Sequence, residues 1–363
     1  MPVPSMRPPA GLHLDYLSPA EYQAAQRADV LGVAIFNGAP PRATGMEAPV
    51  AHVHMPVLCG DPDVYEVWRC GEPVESGNVD RVSFRRSDDM LFGCIAVAES
   101  AEAAAARVGA PDVARWPLQE ATAEAYREIC AALDALGYPH LLRVWNYLPD
   151  INVESGGMER YRQFNSARQH ALRERGRALT GSVPAASALG AARGSPLLVY
   201  FLAGRAPARF VENPRQVSAY HYPRQYGPHS PAFSRAALVR QGSTLALFIS
   251  GTASIVGHRS THVGDAAAQT RETLTNIEAL LAQANAAVGS RPFDIGSLAC
   301  KVYVRRPGDL AVVQAELMPA LAAGASCLYL QADICRQDLL LEIEAAAIRP
   351  IADAAEAARA ACR

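Results

Sequence analysis

Apolar and polar positions alternate in two successive runs of strand and helix. In the first run, Asp29-Val30-Leu31-Gly32-Val33-Ala34-Ile35-Phe36 reads as a buried strand closed by Asn37-Gly38, a turn dipeptide. Short apolar runs follow at 49–58 and 64–68, residues 81–86 alternate, and 90–97 reads as another strand. The period then changes: Tyr126, Ile129, Leu133 and Leu136 recur at helical spacing within 118–136, and Gly137 stands where a helix C-cap belongs. Residues 139–148 return to strand, and 158–173 read as a second helix carrying Tyr161, Arg162 and Arg168. Residues 1–28 look like a flexible lead-in, and the Gly/Ala/Ser-rich stretch 174–195 like a loop or crossover.

The second run opens at Leu197–Leu202. It continues into Tyr220-His221-Tyr222-Pro223 and Tyr226-Gly227-Pro228. Aromatic residues set between prolines cannot form a packed helix. They make a rigid polar-aromatic loop, suited either to a binding site or to packing at a domain seam. Residues 245–251 are a strand, and 269–282 an amphipathic helix with Leu274, Ile277 and Leu281 on one stripe. Strand 299–305, helix 309–317 and strands 325–330 and 339–343 complete the run. A chain of 363 residues exceeds one ordinary core, so the pattern predicts α+β architecture in two domains, 29–195 and 196–350, with a tail at 351–363.

The last strand carries the most specific signal. In Ile334-Cys335-Arg336-Gln337-Asp338-Leu339-Leu340-Leu341-Glu342-Ile343-Glu344, strand geometry sends Glu342 and Glu344 to one face and Leu341 and Ile343 to the other. Two carboxylates on one strand face are either solvated or held at a site.

Composition narrows the classes. A net charge of -2 argues against nucleic acid or an anionic membrane as a main partner, and no segment is long enough to span a bilayer. Lys301 is the only lysine, so arginines are plentiful for meeting an acidic substrate. Eight scattered cysteines with no CxxC argue against zinc and disulfide frameworks, and with no secretory apolar region they point to the cytoplasm. No GxGxxG, P-loop or HExxH is present, so neither a metal nor a redox cofactor is expected.

Two resemblances emerge from these residues. Ser250-Gly251-Thr252, Gly264-Asp265, Gln269-Thr270-Arg271, Lys301-Val302-Tyr303-Val304 and Glu342-Ile343-Glu344-Ala345 resemble the RidA-like (chorismate mutase-like) fold, with the N-terminal half a related α+β domain. That likeness implies barrel-like homotrimers, although tandem domains could supply some seams within one chain. RidA deaminases hold a substrate carboxylate with an Arg on the strand matching 325–330, and none occurs there, so imine hydrolysis is not expected.

Over 29–347 the chain resembles the chorismatases. The likeness rests on Val74-Glu75-Ser76-Gly77, Leu91-Phe92-Gly93, Trp145-Asn146-Tyr147, Tyr161-Arg162, Glu212-Asn213-Pro214, His221-Tyr222-Pro223 and Gly257-His258-Arg259. Gly251, Gln216 and Cys335 match its 3-hydroxybenzoate synthase branch, where the hydrolysing branch has Ala, an apolar residue and Ala. The resemblance implies conversion of chorismate to 3-hydroxybenzoate and pyruvate. The alternatives are a dual 3-/4-hydroxybenzoate producer, a hydrolytic enzyme giving a dihydroxycyclohexadienoate, or a non-catalytic small-ligand-binding protein. Under it Glu342 is the catalytic acid and Cys335 a selectivity residue, not a nucleophile, with Glu344 less committed and Lys301 structural. Arg162 is first choice for a substrate carboxylate, with Arg305 and Arg168 behind it. Tyr147 and Tyr222 would hold carboxylates or hydroxyls, Gly251 would open space beside the ring, and Gln216 would steer the ring hydroxyl.

Overall fold

The computed structural model describes residues 11–25, 28–36, 49–100, 116–322 and 325–351. The chain begins with β1 (His13–Leu17), α1 (Pro19–Ala24), β2 (Val30–Phe36), β3 (Val50–Val53) and β4 (Val64–Arg69). Next come β5 (Glu75–Val79), β6 (Val82–Arg86), β7 (Met90–Val97), α2 (Pro117–Leu136) and β8 (His140–Pro149). A short ribbon of β9 (Glu154–Ser155) and β10 (Met158–Glu159) leads into α3 (Arg160–Glu174), β11 (Ala185–Ala191) and β12 (Leu197–Gly204). The remainder is β13 (Arg209–Val211), β14 (Ala236–Gln241), β15 (Thr244–Thr252), β16 (Ile255–Val256), β17 (Arg259–Ser260) and α4 (Ala266–Val288). Then β18 (Ala299–Val304), α5 (Leu310–Leu317), β19 (Cys327–Gln331) and β20 (Leu341–Pro350) close the chain.

Three larger sheets result, ordered β1-β4-β2-β3, β11-β8-β12-β7-β6-β5 and β13-β14-β15-β20-β18-β19, beside the two-stranded ribbons β9/β10 and β16/β17. Strand alternation gives each sheet an inner and an outer face. Phe36 and Trp68 from the first, Phe92 and Tyr200 from the second, and Phe248 and Tyr303 from the third meet in one shared core. On the outer side of the second sheet, Tyr126, Ile129 and Leu133 of α2 pack against Val144 and Val199. On the third, Ile277 and Leu281 of α4 cover Val302 and Ile343. The α2 boundary is set as expected, with Pro117 in the first turn and Gly137 left-handed at φ 75° after the last. No helix among the described residues is long and apolar enough to cross a membrane.

Several expectations are corrected. The lead-in is partly structured: β1 pairs with β4, and Ser18 caps α1 in a reciprocal box with Glu21. The supposed loop at 174–195 contains β11, which runs parallel to β8 from Ala185 to Ala191. Its sequence AASALGA lacks the β-branched and aromatic residues that mark strands. Leu197–Leu202 was expected to open the second unit, yet β12 lies between β7 and β8 at the centre of the second sheet. The change of sheet therefore follows Gly204, not residue 195. The tail beyond 351 lies outside the described residues.

Candidate active site

A cavity of about 710 Å³ opens between α3, β11, the aromatic loop before β14, β15 and the turn leading into β20. It is large enough for a small organic ligand. Its floor is Ala186-Ser187-Ala188 of β11, and the small side chains that hid this strand in the sequence are what leave the room.

Glu342 reaches the cavity wall from β20 and is 4% exposed. Burial, reinforced by the charge of Glu344, pushes its carboxyl up to about 8, against the opposing pull of Arg143 and Arg235. It is a carboxylic acid at neutral pH. The Cys335 thiol also lines the cavity and donates to Glu342 Oε2 at 3.9 Å. Burial pushes Cys335 up to about 12, which keeps it a thiol and removes it as a nucleophile.

Gly251 on β15 is where Glu342 rests. A Cβ built there would lie 1.9 Å from Glu342 Oε1. Gly251 lines the cavity, and the space beside its Cα is taken by the acid's own carboxyl.

Glu344, two residues on, is the more heavily bonded of the pair. It takes hydrogen bonds from Arg143 (2.8 Å), Trp145 Nε1 (2.7 Å) and the Ser187 hydroxyl, and pairs with Lys301 Nζ at 2.7 Å. Burial alone would raise its pKa, but Lys301 and Arg143 outweigh burial and hold it below the ordinary carboxylate value. Two chemically identical side chains on one strand face are driven apart by their neighbours, one kept as acid and one as anion.

Arginines surround the acid. Arg235 is 4% exposed, donates to the Tyr222 hydroxyl (2.7 Å) and the Val217 carbonyl, and leaves Nε unpartnered. Arg168 is 3% exposed, donates to Asn165 Oδ1 at 3.0 Å, and also leaves Nε unpartnered. Arg336 stacks 4.1 Å over the Tyr226 ring and keeps Nη2 unpartnered. All three line the cavity, and among the described residues none is ion-paired to a carboxylate. Arg168 and Arg235 are buried without a close ion-pair partner, which is costly, and an anionic ligand would offset that cost.

The expected site residues divide accordingly. Glu342, Cys335, Gly251, Tyr222 and Arg162 all line the cavity. Arg162 sits at the rim, paired with Glu159 at 3.3 Å. Tyr222 and Tyr226 of the aromatic loop pack together with centroids 5.4 Å apart and line the cavity.

Three expected residues lie elsewhere. Tyr147 is 1% exposed in the shared core, hydrogen-bonded to the Tyr303 hydroxyl at 2.9 Å. Gln216 stands behind the wall, donating to the carbonyl of Ile255, which does line the cavity. Arg305 ties down the turn that carries Cys335 and Arg336, donating to the carbonyls of Ile334, Arg336 and Leu339 and pairing with Asp333. Sequence reasoning missed Arg235 and Arg336. Arg336, adjacent to Cys335, could have been found; Arg235 had no local signal.

The chain is similar to several known proteins. The family described as "Chorismatase FkbO/Hyg5-like, N-terminal" matches residues 66–203, ending at the last residues of β12. A 3-hydroxybenzoate synthase from Streptomyces hygroscopicus is 37% identical over 288 residues, 77% of this chain and 80% of that protein. A chorismatase from Streptomyces rapamycinicus is 38% identical over 293 residues, covering 78% and 82%. A crystal structure of a chorismatase superposes with a TM-score of 0.82 at 32% identity, covering 93% of this chain and 98% of that one.

Proposed function

From the premise that this chain belongs to the chorismatase family, we propose that its cavity converts chorismate to 3-hydroxybenzoate and pyruvate. One observation carries the reading: a buried carboxyl that stays protonated near neutrality faces a cavity lined by three arginines without carboxylate partners. Chorismate is a dicarboxylate with an acid-labile enol ether, and the cavity offers cations for the first and an acid for the second.

Arg168, Arg235 and Arg336 bind the two carboxylates, with Arg162 guarding the rim. Binding aligns the enolpyruvyl methylene carbon with Glu342. Carbon accepts protons slowly, and a positioned acid contributes about 10²–10⁴-fold. Glu342 gives its proton to the methylene, converting the ether substituent into a leaving group. The neighbouring ring hydroxyl oxygen then bonds to the ring carbon as the ether C–O bond breaks and pyruvate departs. The hydroxyl proton is lost, leaving an arene-oxide-like ring; its C–O bond to the carbon that first carried the hydroxyl then breaks, the oxygen takes up a proton, and the C–H proton of the carbon that keeps the oxygen leaves, so the ring aromatises to the phenol. No water is consumed, and one returning proton restores Glu342. Cys335, a neutral thiol on Glu342, keeps the acid turned toward the ring and fills the place where water would otherwise stand. The free cysteines among the described residues support a reducing, cytoplasmic compartment.

The test is incubation of purified protein with chorismate, with products separated by chromatography and pyruvate assayed alongside. Equimolar 3-hydroxybenzoate and pyruvate is the expected result. A dihydroxycyclohexadienoate would place the enzyme in the hydrolytic branch, and a 4-hydroxybenzoate component would make it a dual producer. Chorismate left unconsumed would overturn the enzymatic reading in favour of a binding protein.

A further inference from the structure

Glu344, Lys301 and Glu66 do not line the cavity, yet these three form a buried, heavily bonded charge cluster. Lys301 Nζ stands 2.7 Å from Glu344 Oε1 and 2.7 Å from Glu66 Oε2, and donates to the Tyr200 hydroxyl at 2.8 Å. Glu66 in turn accepts from Trp68 Nε1 at 2.8 Å. All three charges are essentially fully buried. Replacing buried ionic groups with well-packed apolar ones is often neutral or stabilising, so packing alone does not account for them.

The geometry connects the cluster to the acid by two routes. Through space, residues i and i+2 of a strand lie roughly 7 Å apart on one face, so the Glu344 charge acts directly on Glu342. Through bonds, the Ser187 hydroxyl donates to Glu344 and accepts from the Gly251 amide at 3.1 Å, and Gly251 is the surface on which Glu342 Oε1 rests. Resting on the acid role given to Glu342 above, we propose that Glu344, locked as an anion by Lys301 and Arg143, is a positioning residue that keeps Glu342 in its acid form and seats it over Gly251.

Every charge facing the pair fits this arrangement. Glu342 is faced by Glu344 on its own strand, Arg143 of β8, Arg235 before β14, Cys335 in the turn and Tyr161 of α3. Arg143 and Arg235 favour its ionised form, and Glu344 opposes them. Glu344 is faced by the cations Lys301 and Arg143 and by the phenols of Tyr16, Tyr147, Tyr200 and Tyr303, all kept protonated by burial. The Cys300 thiol, also held protonated, completes the ring. Removing the Glu344 charge leaves Arg143 and Arg235 unopposed at Glu342, which then releases its proton at lower pH.

The experiment is the pH profile of kcat for wild type, Glu344→Gln and Glu344→Asp. The alkaline limb reports loss of the Glu342 proton, and in Glu344→Gln it should move to lower pH by about one to two units, the effect of one charge at that separation. Glu344→Asp, which keeps the charge, should return the limb toward wild type. A limb unmoved in Glu344→Gln, with Glu342→Gln inactive, overturns the inference alone. Turnover by Glu342→Gln removes the acid assignment instead. Should Glu344→Gln not fold, infrared titration of wild type against Glu342→Gln decides. One carboxylic acid band that persists at neutral pH and vanishes in Glu342→Gln is expected; two buried acids titrating together near neutrality would overturn it.

Discussion

At the scale of single residues, the site depends on a glycine and an acid that occupy the same space. A methyl group at residue 251 would fall 1.9 Å from Glu342 Oε1, so Gly251→Ala must turn the carboxyl away. The expected outcome is a kcat lower by about 10- to 100-fold, within the range a general acid supplies, with the melting temperature nearly unchanged. Steady-state kinetics beside a thermal melt checks this, and wild-type kcat in the variant would show that the acid does not need that seat. The arginines give a different signature. Arg235→Met and Arg168→Met should each raise KM by about 10- to 100-fold, as expected for the loss of a charged hydrogen bond, with a smaller effect on kcat. The glutamate pair was legible because a period of two puts both on one face. Which of them is the acid was not legible from spacing, since the deciding partners, Arg143 and Lys301, come from β8 and β18.

At the scale of elements, what the sequence displayed was bulk. Strands rich in Val, Ile and Phe, and the helix with a leucine stripe, overlap the segments their patterns marked, although α4 (Ala266–Val288) and β20 (Leu341–Pro350) run past them. β11 escaped because its seven residues are Ala, Ser, Leu and Gly, and those small side chains serve the cavity it floors. β12 was visible as a strand and misassigned as to sheet, because pairing with β7 and β8 is a long-range choice that no local pattern encodes. The turn before β20 shows the same division. Cys335 and Arg336 were readable as candidates, whereas the device that holds them, Arg305 bonded to three carbonyls of that turn, resembled a substrate ligand. Arg305→Met should therefore lower kcat/KM by about tenfold without the simple KM rise expected of a lost carboxylate contact. An effect confined to KM, rescued by higher chorismate, would return Arg305 to the binding role.

At the scale of the whole molecule, the three sheets are joined by charge as well as by apolar packing. Lys301 on β18 reaches Glu66 on β4 of the first sheet, the Tyr200 hydroxyl on β12 of the second, and Glu344 on β20 of its own. A lone lysine that is 2% exposed would be costly to bury if unpaired; here burial lowers its pKa, but Glu344 and Glu66 outweigh that and hold it above the ordinary lysine value. Lys301→Met should accordingly destabilise the protein by about 3–5 kcal/mol, because it strands the buried Glu66 carboxylate, whereas Glu344 keeps Arg143. The distinction is measurable with a double-mutant cycle. If stranded charge is the cause, Glu66→Gln in the Lys301→Met background should recover part of the loss, making the double variant more stable than the sum of the single effects. Chemical denaturation of the four proteins at neutral pH supplies the numbers. Additive losses, or a Lys301→Met protein within about 1 kcal/mol of wild type, would mean that apolar packing alone holds the sheets together. In that case the charged junction would serve the acid at Glu342 and not the fold.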